Sequence, residues 1–325
     1  MRNSVPDLVS VIIPVFNRGG LLREAVASVV AQTHRPIEIV VVNDGSTDDT
    51  LDVAVALQRS FPEITAVLGQ ANSGPGAARE TGRLAARGEF IQYLDSDDLL
   101  EPRKFELQVA GLRAHPECGV SYGFTRLRRA DGSAADQPFK RTGEHIETMF
   151  PAFLESRWWD TSTPLFRSEL LQEAGPWLPL RTEEDWEYDA RVAALGVRLH
   201  FCAEWVSETR QIDPDRVSLR QGPAVLRDRA DAHARILGHA RRAGIARDTP
   251  EMQHFARELF LLARQCGAAG MVLESRRVFD LALDASTESR RTGLDFRAYR
   301  ALAACVGWRT AGTIAGLADK LRPVR

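Results

Sequence analysis

Three carboxylates fall within four residues at Asp95-Ser96-Asp97-Asp98, directly after the strand-like run Phe90–Leu94. Like charges held that close repel one another, and folding gains nothing by gathering them. A hard divalent cation removes the conflict. Mg2+ or Mn2+ prefers oxygen ligands and commonly takes one or two protein carboxylates together with substrate phosphates, and would neutralise the charge that develops on a departing diphosphate. The plain alternative is a solvated acidic turn capping the helix that follows Pro102. A second group of acids, Glu183-Glu184-Asp185, precedes Trp186 at the start of another helical stretch. A carboxylate there can take the proton of an attacking hydroxyl, or simply complement the helix dipole. Spacing does not choose among the three.

Asp44 follows a β-branched run, and its carboxylate can accept the imide N–H of a pyrimidine base; the alternative is an Asx turn with Gly45. Arg79 lies inside a predicted helix and can reach a phosphate or the base, whereas Arg83 and Arg87 read as exposed. Gly74 and Gly76 allow a backbone to approach a ligand, or make a turn. No Gly-Lys dipeptide occurs, so there is no Walker-type phosphate loop. No GxGxxG follows the first strand-like run, which weakens a dinucleotide reading. Gly119-Val120-Ser121-Tyr122-Gly123 fits the nucleophile-elbow pattern but continues as strand toward the turn signal Asp131-Gly132, whereas an elbow leads into a helix.

These residues sit at the ends of strand-like runs. Leu8–Val15, Ile37–Val42, Ile64–Leu68 and Phe90–Leu94 read as buried strands, with helices near 21–30, 49–61 and 76–86 between them. Repeated βα units of this length predict an α/β fold with a mostly parallel central sheet and helices on both faces. Ligands bind beyond the carboxyl ends of such strands. Those ends are Pro14-Val15-Phe16-Asn17, Asn43–Ser46, the loop Asn72–Gly76 and the acidic turn. Cys118–Leu127 and Val197–Cys202 read as further strands, and residues 140–180 as irregular. From about 222 the chain is Ala/Arg/Leu-rich and helical, broken at Gly244, Thr249-Pro250 and Gly267–Gly270. The expected division is a catalytic domain over 1–222 and a helical region over 223–325.

The 325 residues contain 44% hydrophobic and 26% charged side chains, the balance of a globular protein. Residues 1–219 hold 23 Lys and Arg against 33 Asp and Glu, and the remainder 19 against 11. The acidic front is a poor nucleic-acid surface. The basic back fits solvated helix faces, or an anionic membrane. Residues 301–321 combine Val306, Trp308, Ile314 and Leu317 with Arg309 and Lys320, a composition that fits a packed helix or one lying peripherally on a membrane. Four scattered cysteines without a CxxC pair argue against a zinc site and fit a reducing cytoplasm. The absence of a leader-like start and of a long apolar stretch adds to the expectation of a cytoplasmic, soluble protein. Nothing in the sequence sets the oligomeric state.

Taken together, VSVIIPVFNR, VVVNDGSTDDT, NSGPGAAR, EFIQYLDSDD and GPWLPLRTEEDWEYDARVAALG resemble, in order, the blocks of the inverting family-2 glycosyltransferases of GT-A fold, over roughly residues 8–220. That resemblance implies a nucleoside-diphosphate sugar donor, UDP favoured, and an acceptor hydroxyl on a glycan, lipid-linked or other molecule in surface polysaccharide or glycoconjugate synthesis. It implies that Pro14, Phe16, Asn17, Asp44, Gly76 and Arg79 surround the nucleotide, with Asp95 at the ribose or the metal-bound groups. It further implies that Asp97 binds Mn2+ or Mg2+, that Asp98 supports it or meets the donor sugar, and that Asp185 is the catalytic base. The sequence departs from the family pattern after the base, where Glu208–Asp213 has no histidine. Either Asp213 replaces that ligand or the metal site is more open; Ser218 resembles a serine that often follows. Two other readings are a sugar nucleotidyltransferase, of which Asn17-Arg18-Gly19-Gly20 is a faint echo, and a non-catalytic sugar-nucleotide-binding module.

Overall fold

A computed structural model describes residues 4–211 and 222–320 of the chain. It forms two compact units, one of Met1–Met149 with Arg157–Pro214 and one of Phe150–Ser156 with Asp215–Arg325. The excursion over 150–156 makes the first unit discontinuous in sequence. Asp213 and Ser218 lie outside the described residues.

The first unit begins with β1 (Val5–Val15), α1 (Gly19–Val30), β2 (Ile37–Asn43), α2 (Thr50–Ser60), β3 (Thr65–Gly69), α3 (Pro75–Ala85) and β4 (Gly88–Tyr93). It continues with β5 (Leu99–Leu100), α4 (Lys104–Ala114), β6 (Cys118–Arg128), β7 (Leu165–Arg167), α5 (Ser168–Ala174), α6 (Glu184–Ala193) and β8 (Arg198–Arg210). The strands form one sheet in the order β3-β2-β1-β4-β7-β6-β8-β5. The first four are parallel to one another, β7 is antiparallel to both β4 and β6, β8 is parallel to β6, and β5 is antiparallel to β8.

β1 is buried continuously from Leu8 onward, as a strand covered on both faces must be. Alternation sends Val9, Val11 and Ile13 into a cluster with Leu22, Val26 and Val29 of α1 and Phe105 and Leu112 of α4. Val40 and Val42 join Ala78 of α3 in a separate cluster. Helix α3 lies close on the sheet because Gly82 faces Ile12: a Cβ there would sit 2.3 Å from Ile12 Cγ2. This contact presents the start of α3, with Arg79, to the strand ends.

The elements not foreseen are β5, β7 and α5. Strands of two and three residues and a helix of seven carry almost no periodicity; their existence depends on long-range partners such as Ile91 for Phe166. β8 also runs eight residues past Cys202. Its pairing with β6 shifts register at Gly123/Phe124, where Cys202 gives way to Trp205, and such a bulge interrupts the local strand signal. The segment Gly119–Gly123 lies inside β6 and leads into no helix, as its continuation suggested.

The second unit contains α7 (Pro223–Arg242), α8 (Pro250–Ala268), α9 (Val272–Ala285), α10 (Glu288–Arg291) and α11 (Leu294–Lys320), the last with a non-helical residue at Gly307. Thr249 caps α8 by accepting a hydrogen bond from the Met252 N–H, with Pro250 at the first position. Phe260, Phe279, Phe296, Tyr299 and Trp308 form its aromatic core. α11 therefore packs through one face, while Val306, Ile314 and Leu317 remain exposed. Among the described residues no helix is long and apolar enough to cross a membrane.

Candidate active site

The acidic turn after β4 is held from behind. Leu99 and Leu100 pair with Glu208 and Ser207 of β8, which draws the end of β8 over the turn. Asp98 is 4% exposed. Its Oδ2 accepts from Ser162 Oγ at 2.8 Å and Thr209 Oγ1 at 3.3 Å, and its Oδ1 from the Arg210 N–H at 3.2 Å. Burial, reinforced by the charges of Asp97 and Asp95, pushes this carboxyl well above the ordinary range. Asp98 occupies an inward, anchoring position. The Asp97 Oδ2 accepts from Arg18 Nη1 at 2.8 Å, and its carbonyl accepts from Arg210 Nε at 2.5 Å. Burial raises Asp97 as well, against the pull of the Arg18 guanidinium.

Asp95 is turned the other way, 32% exposed, and its Oδ1 accepts from Arg79 Nη2 at 2.6 Å. The same guanidinium donates through Nη1 to Glu184 Oε1 at 2.7 Å. Arg79 thus joins the two acid clusters that the sequence separates by almost ninety residues. An aromatic wall explains the approach of α6. Trp177 stacks on Tyr188 of α6 with ring centroids 4.0 Å apart, Tyr93 at the end of β4 meets both edge-on, and the Arg79 guanidinium lies 4.9 Å from the Trp177 ring.

Burial lifts Glu184 from 4.5 to about 7, with repulsion from Asp185 adding to it and Arg79 opposing it. The folded value lies above the unfolded one. Its contribution to stability is therefore complete below about pH 4.5 and lost as pH rises through about 7. Thermal melts over that range should show the wild-type Tm falling relative to Glu184→Gln. Parallel Tm curves would contradict the assignment.

Asp185 behaves differently, though adjacent. It is 28% exposed; its Oδ2 accepts from Arg157 Nη1 at 2.5 Å and its Oδ1 from the Trp186 N–H at 2.7 Å. Burial alone would raise it, but Arg157, with Arg79 and Lys140 beyond, outweighs burial and holds it below the usual value. Glu183, two residues earlier at the cap of α6, has left-handed backbone, φ 59°, a conformation that costs a non-glycine residue about 1–3 kcal/mol and gathers at functional sites.

On the nucleotide side, Phe16 is 40% exposed at the end of β1, and Pro14 is buried. Asn17, also left-handed at φ 52°, ties the first two strand ends together: its Oδ1 accepts from the Thr47 N–H at 2.8 Å. Asp44 Oδ1 accepts from Gln70 Nε2 at 2.8 Å and the Ser73 N–H at 2.9 Å, and Oδ2 from the Gly74 N–H at 2.9 Å. That leaves about one of its four acceptor positions. At Gly76 the close approach is by protein: a Cβ would lie 2.2 Å from the Leu178 carbonyl oxygen.

One expectation changes. In the stretch read as irregular, Trp158, Trp159 and Thr161–Thr163 are buried; Ser162 and Thr163 support Asp98 and the Lys104 side-chain nitrogen from below. Arg83 is half-buried and paired with Glu80 at 2.7 Å rather than solvated, unlike the exposed Arg87. Sequence reading missed Arg18 and Arg157, because nothing local distinguishes an arginine that meets a carboxylate from a distant segment.

Among the described residues no group of three His, Cys, Asp or Glu side chains is arranged to hold a metal ion. Two hard oxygen donors, Asp95 and Asp97, are present, and each is matched to a guanidinium cation. Mg2+ and Mn2+ need only one or two protein carboxylates when phosphates complete the shell, so the donor set fits such an ion.

The strand order, the acidic turn at the end of β4 and the helix start facing it define a GT-A fold. Residues 10–167 match the family model of glycosyl transferase family 2. An uncharacterised glycosyltransferase of Nostoc sp. is 35% identical over 179 residues, 53% of this chain and 55% of that protein; the chain thus spans about half the length of that relative. The crystal structure of S. aureus TarS 1–349 in complex with UDP-GlcNAc superposes with a TM-score of 0.71 at 18% identity, covering 98% of this chain and 93% of that one. The mannosyltransferase PcManGT from Pyrobaculum calidifontis, in complex with GDP-Man and Mn2+, gives 0.52 at 18% identity, covering 96% and 87%.

Proposed function

We propose that the chain is an inverting glycosyltransferase that moves a sugar from a nucleoside-diphosphate donor, with UDP the favoured nucleotide, to an acceptor hydroxyl in polysaccharide or glycoconjugate assembly. The observation that carries this reading is the Arg79 bridge, which brings Asp95 and the Glu184–Asp185 pair to one end of the sheet. In it, the Phe16 ring offers a face to the base, and Asp44 keeps an acceptor position toward it. Asp95 and Asp97 would hold Mn2+ or Mg2+, which when bound neutralises the leaving diphosphate. Asp185 takes the acceptor proton as the hydroxyl attacks the anomeric carbon from the face opposite the diphosphate. It suits that task better than Glu184, because it is ionised and partly exposed, whereas Glu184 is buried on Arg79 and half-protonated near neutral pH. The UDP-GlcNAc complex of TarS and the Mn2+ complex of the mannosyltransferase support both parts of the reading.

Nucleoside diphosphates with and without Mn2+ test it by thermal shift. A ligand present at a hundred times its Kd adds about 2.7 kcal/mol of stability. UDP with Mn2+ is expected to raise Tm more than UDP alone or GDP with Mn2+, and Asp97→Asn to remove the metal-dependent increment. No shift with any nucleoside diphosphate would end the proposal.

A further inference from the structure

We infer that Arg157 is the positioning residue for the proton acceptor: it fixes the Asp185 carboxylate from one side while Asp189, one helical turn further on, fixes Arg157. This rests on the proposed role of Asp185. Arg157 is 10% exposed; it donates through Nη1 to Asp185 Oδ2 at 2.5 Å, through Nε to Asp189 Oδ2 at 2.8 Å, and through Nη2 to Thr161 Oγ1 at 3.4 Å. Asp185 and Asp189 are four residues apart and so share a face of α6.

Two carboxylates around a single guanidinium leave one negative charge in excess. Asp189 is almost fully buried, and Asp185 is the partner with exposure toward the site. The planar fork of arginine sets the direction of the carboxylate it binds, which a point charge does not. With its other oxygen on the Trp186 N–H, Asp185 is held at both oxygens. The charged groups facing it are Arg157 from the segment before β7, Arg79 from α3, Lys140 from the segment after β6, and Glu184 and Asp189 on α6. Of the cations, Arg157 has the largest effect, so its loss should raise the pH at which Asp185 takes up a proton.

The test uses the full chain and follows UDP release from UDP-GlcNAc across pH. Arg157→Gln is expected to lower kcat about 10²-fold, as misplacement of a reacting group does, with KM for UDP-GlcNAc within about twofold. The acid limb of the profile should move up by about one pH unit. Arg157→Lys keeps the charge without the fork; it should hold the acid limb near its wild-type position and lose about tenfold in kcat. If Arg157→Gln does not fold, Arg157→Gln with Asp189→Asn removes both the guanidinium and the second buried acid, and should show the same shift. A folded variant without the guanidinium that keeps the wild-type kcat and acid limb overturns the inference. If neither Gln variant folds, a wild-type kcat in Arg157→Lys overturns it. Asp185→Asn separates the two levels: full UDP release in that variant sinks the underlying reading, whereas an inactive Asp185→Asn beside an unshifted Arg157→Gln sinks only the role of Arg157.

Discussion

Asp185→Asn is expected to lower sugar transfer by about 10²–10⁴-fold, the usual contribution of a positioned proton acceptor. The substitution is isosteric and keeps an oxygen for either the Arg157 N–H or the Trp186 N–H, while Arg157 retains Asp189. Folding and nucleotide binding should therefore survive, and the thermal shift given by UDP with Mn2+ should match the wild type. Transfer at the wild-type rate by Asp185→Asn would show that another group takes the proton and would revive the reading as a non-catalytic module. Glu184→Gln is the companion experiment. Its carboxylate faces Arg79, so it should affect stability and its pH dependence more than the chemical step.

Arg79→Met should produce the largest loss of stability. It leaves Glu184 buried without a counter-ion and removes the partner of Asp95. Breaking a buried pair by removing one side costs about 3–5 kcal/mol. The Asp95 half counts for less, because that carboxylate is about a third exposed and solvent screens it. Glu184 can also escape by taking up a proton. The loss should consequently be greater at pH 8 than at pH 6, on either side of its value of about 7. A loss of about 3 kcal/mol corresponds to a Tm drop on the order of 6–12 °C for a unit of this size. The double variant Arg79→Met with Glu184→Gln removes both buried charges and should recover much of it. Equal losses at the two pH values, or no recovery in the double variant, would show that the bridge is not what holds the two acid clusters together.

The same bridge shows how far the sequence reading reached. The front strands and helices were legible because each carries its own signal. Buried parallel strands are continuous β-branched runs, amphipathic helices repeat at 3.6 residues, and glycine and proline mark the joints. The acids were legible because like charges rarely cluster without cause, and because strand ends in such a sheet are where ligands bind. Locally encoded alternatives stayed open for the same reason: a helix-capping acid and a proton acceptor look alike in sequence. Separating Glu184 from Asp185 by chemistry took the arginines, one on α3 and one in the irregular centre.

The sequence by itself thus determined the βα order, the strand ends and the list of acids, since those depend on neighbours a few residues apart. Only the tertiary structure decided which guanidinium meets which carboxylate: Arg18 with Asp97, Arg79 with Asp95 and Glu184, Arg157 with Asp185 and Asp189. It also decided that Trp158 and Trp159 are core and that Asp98 points inward. Electrostatic interaction and burial depend on distance in space, and the chain brings these groups together from segments up to 105 residues apart.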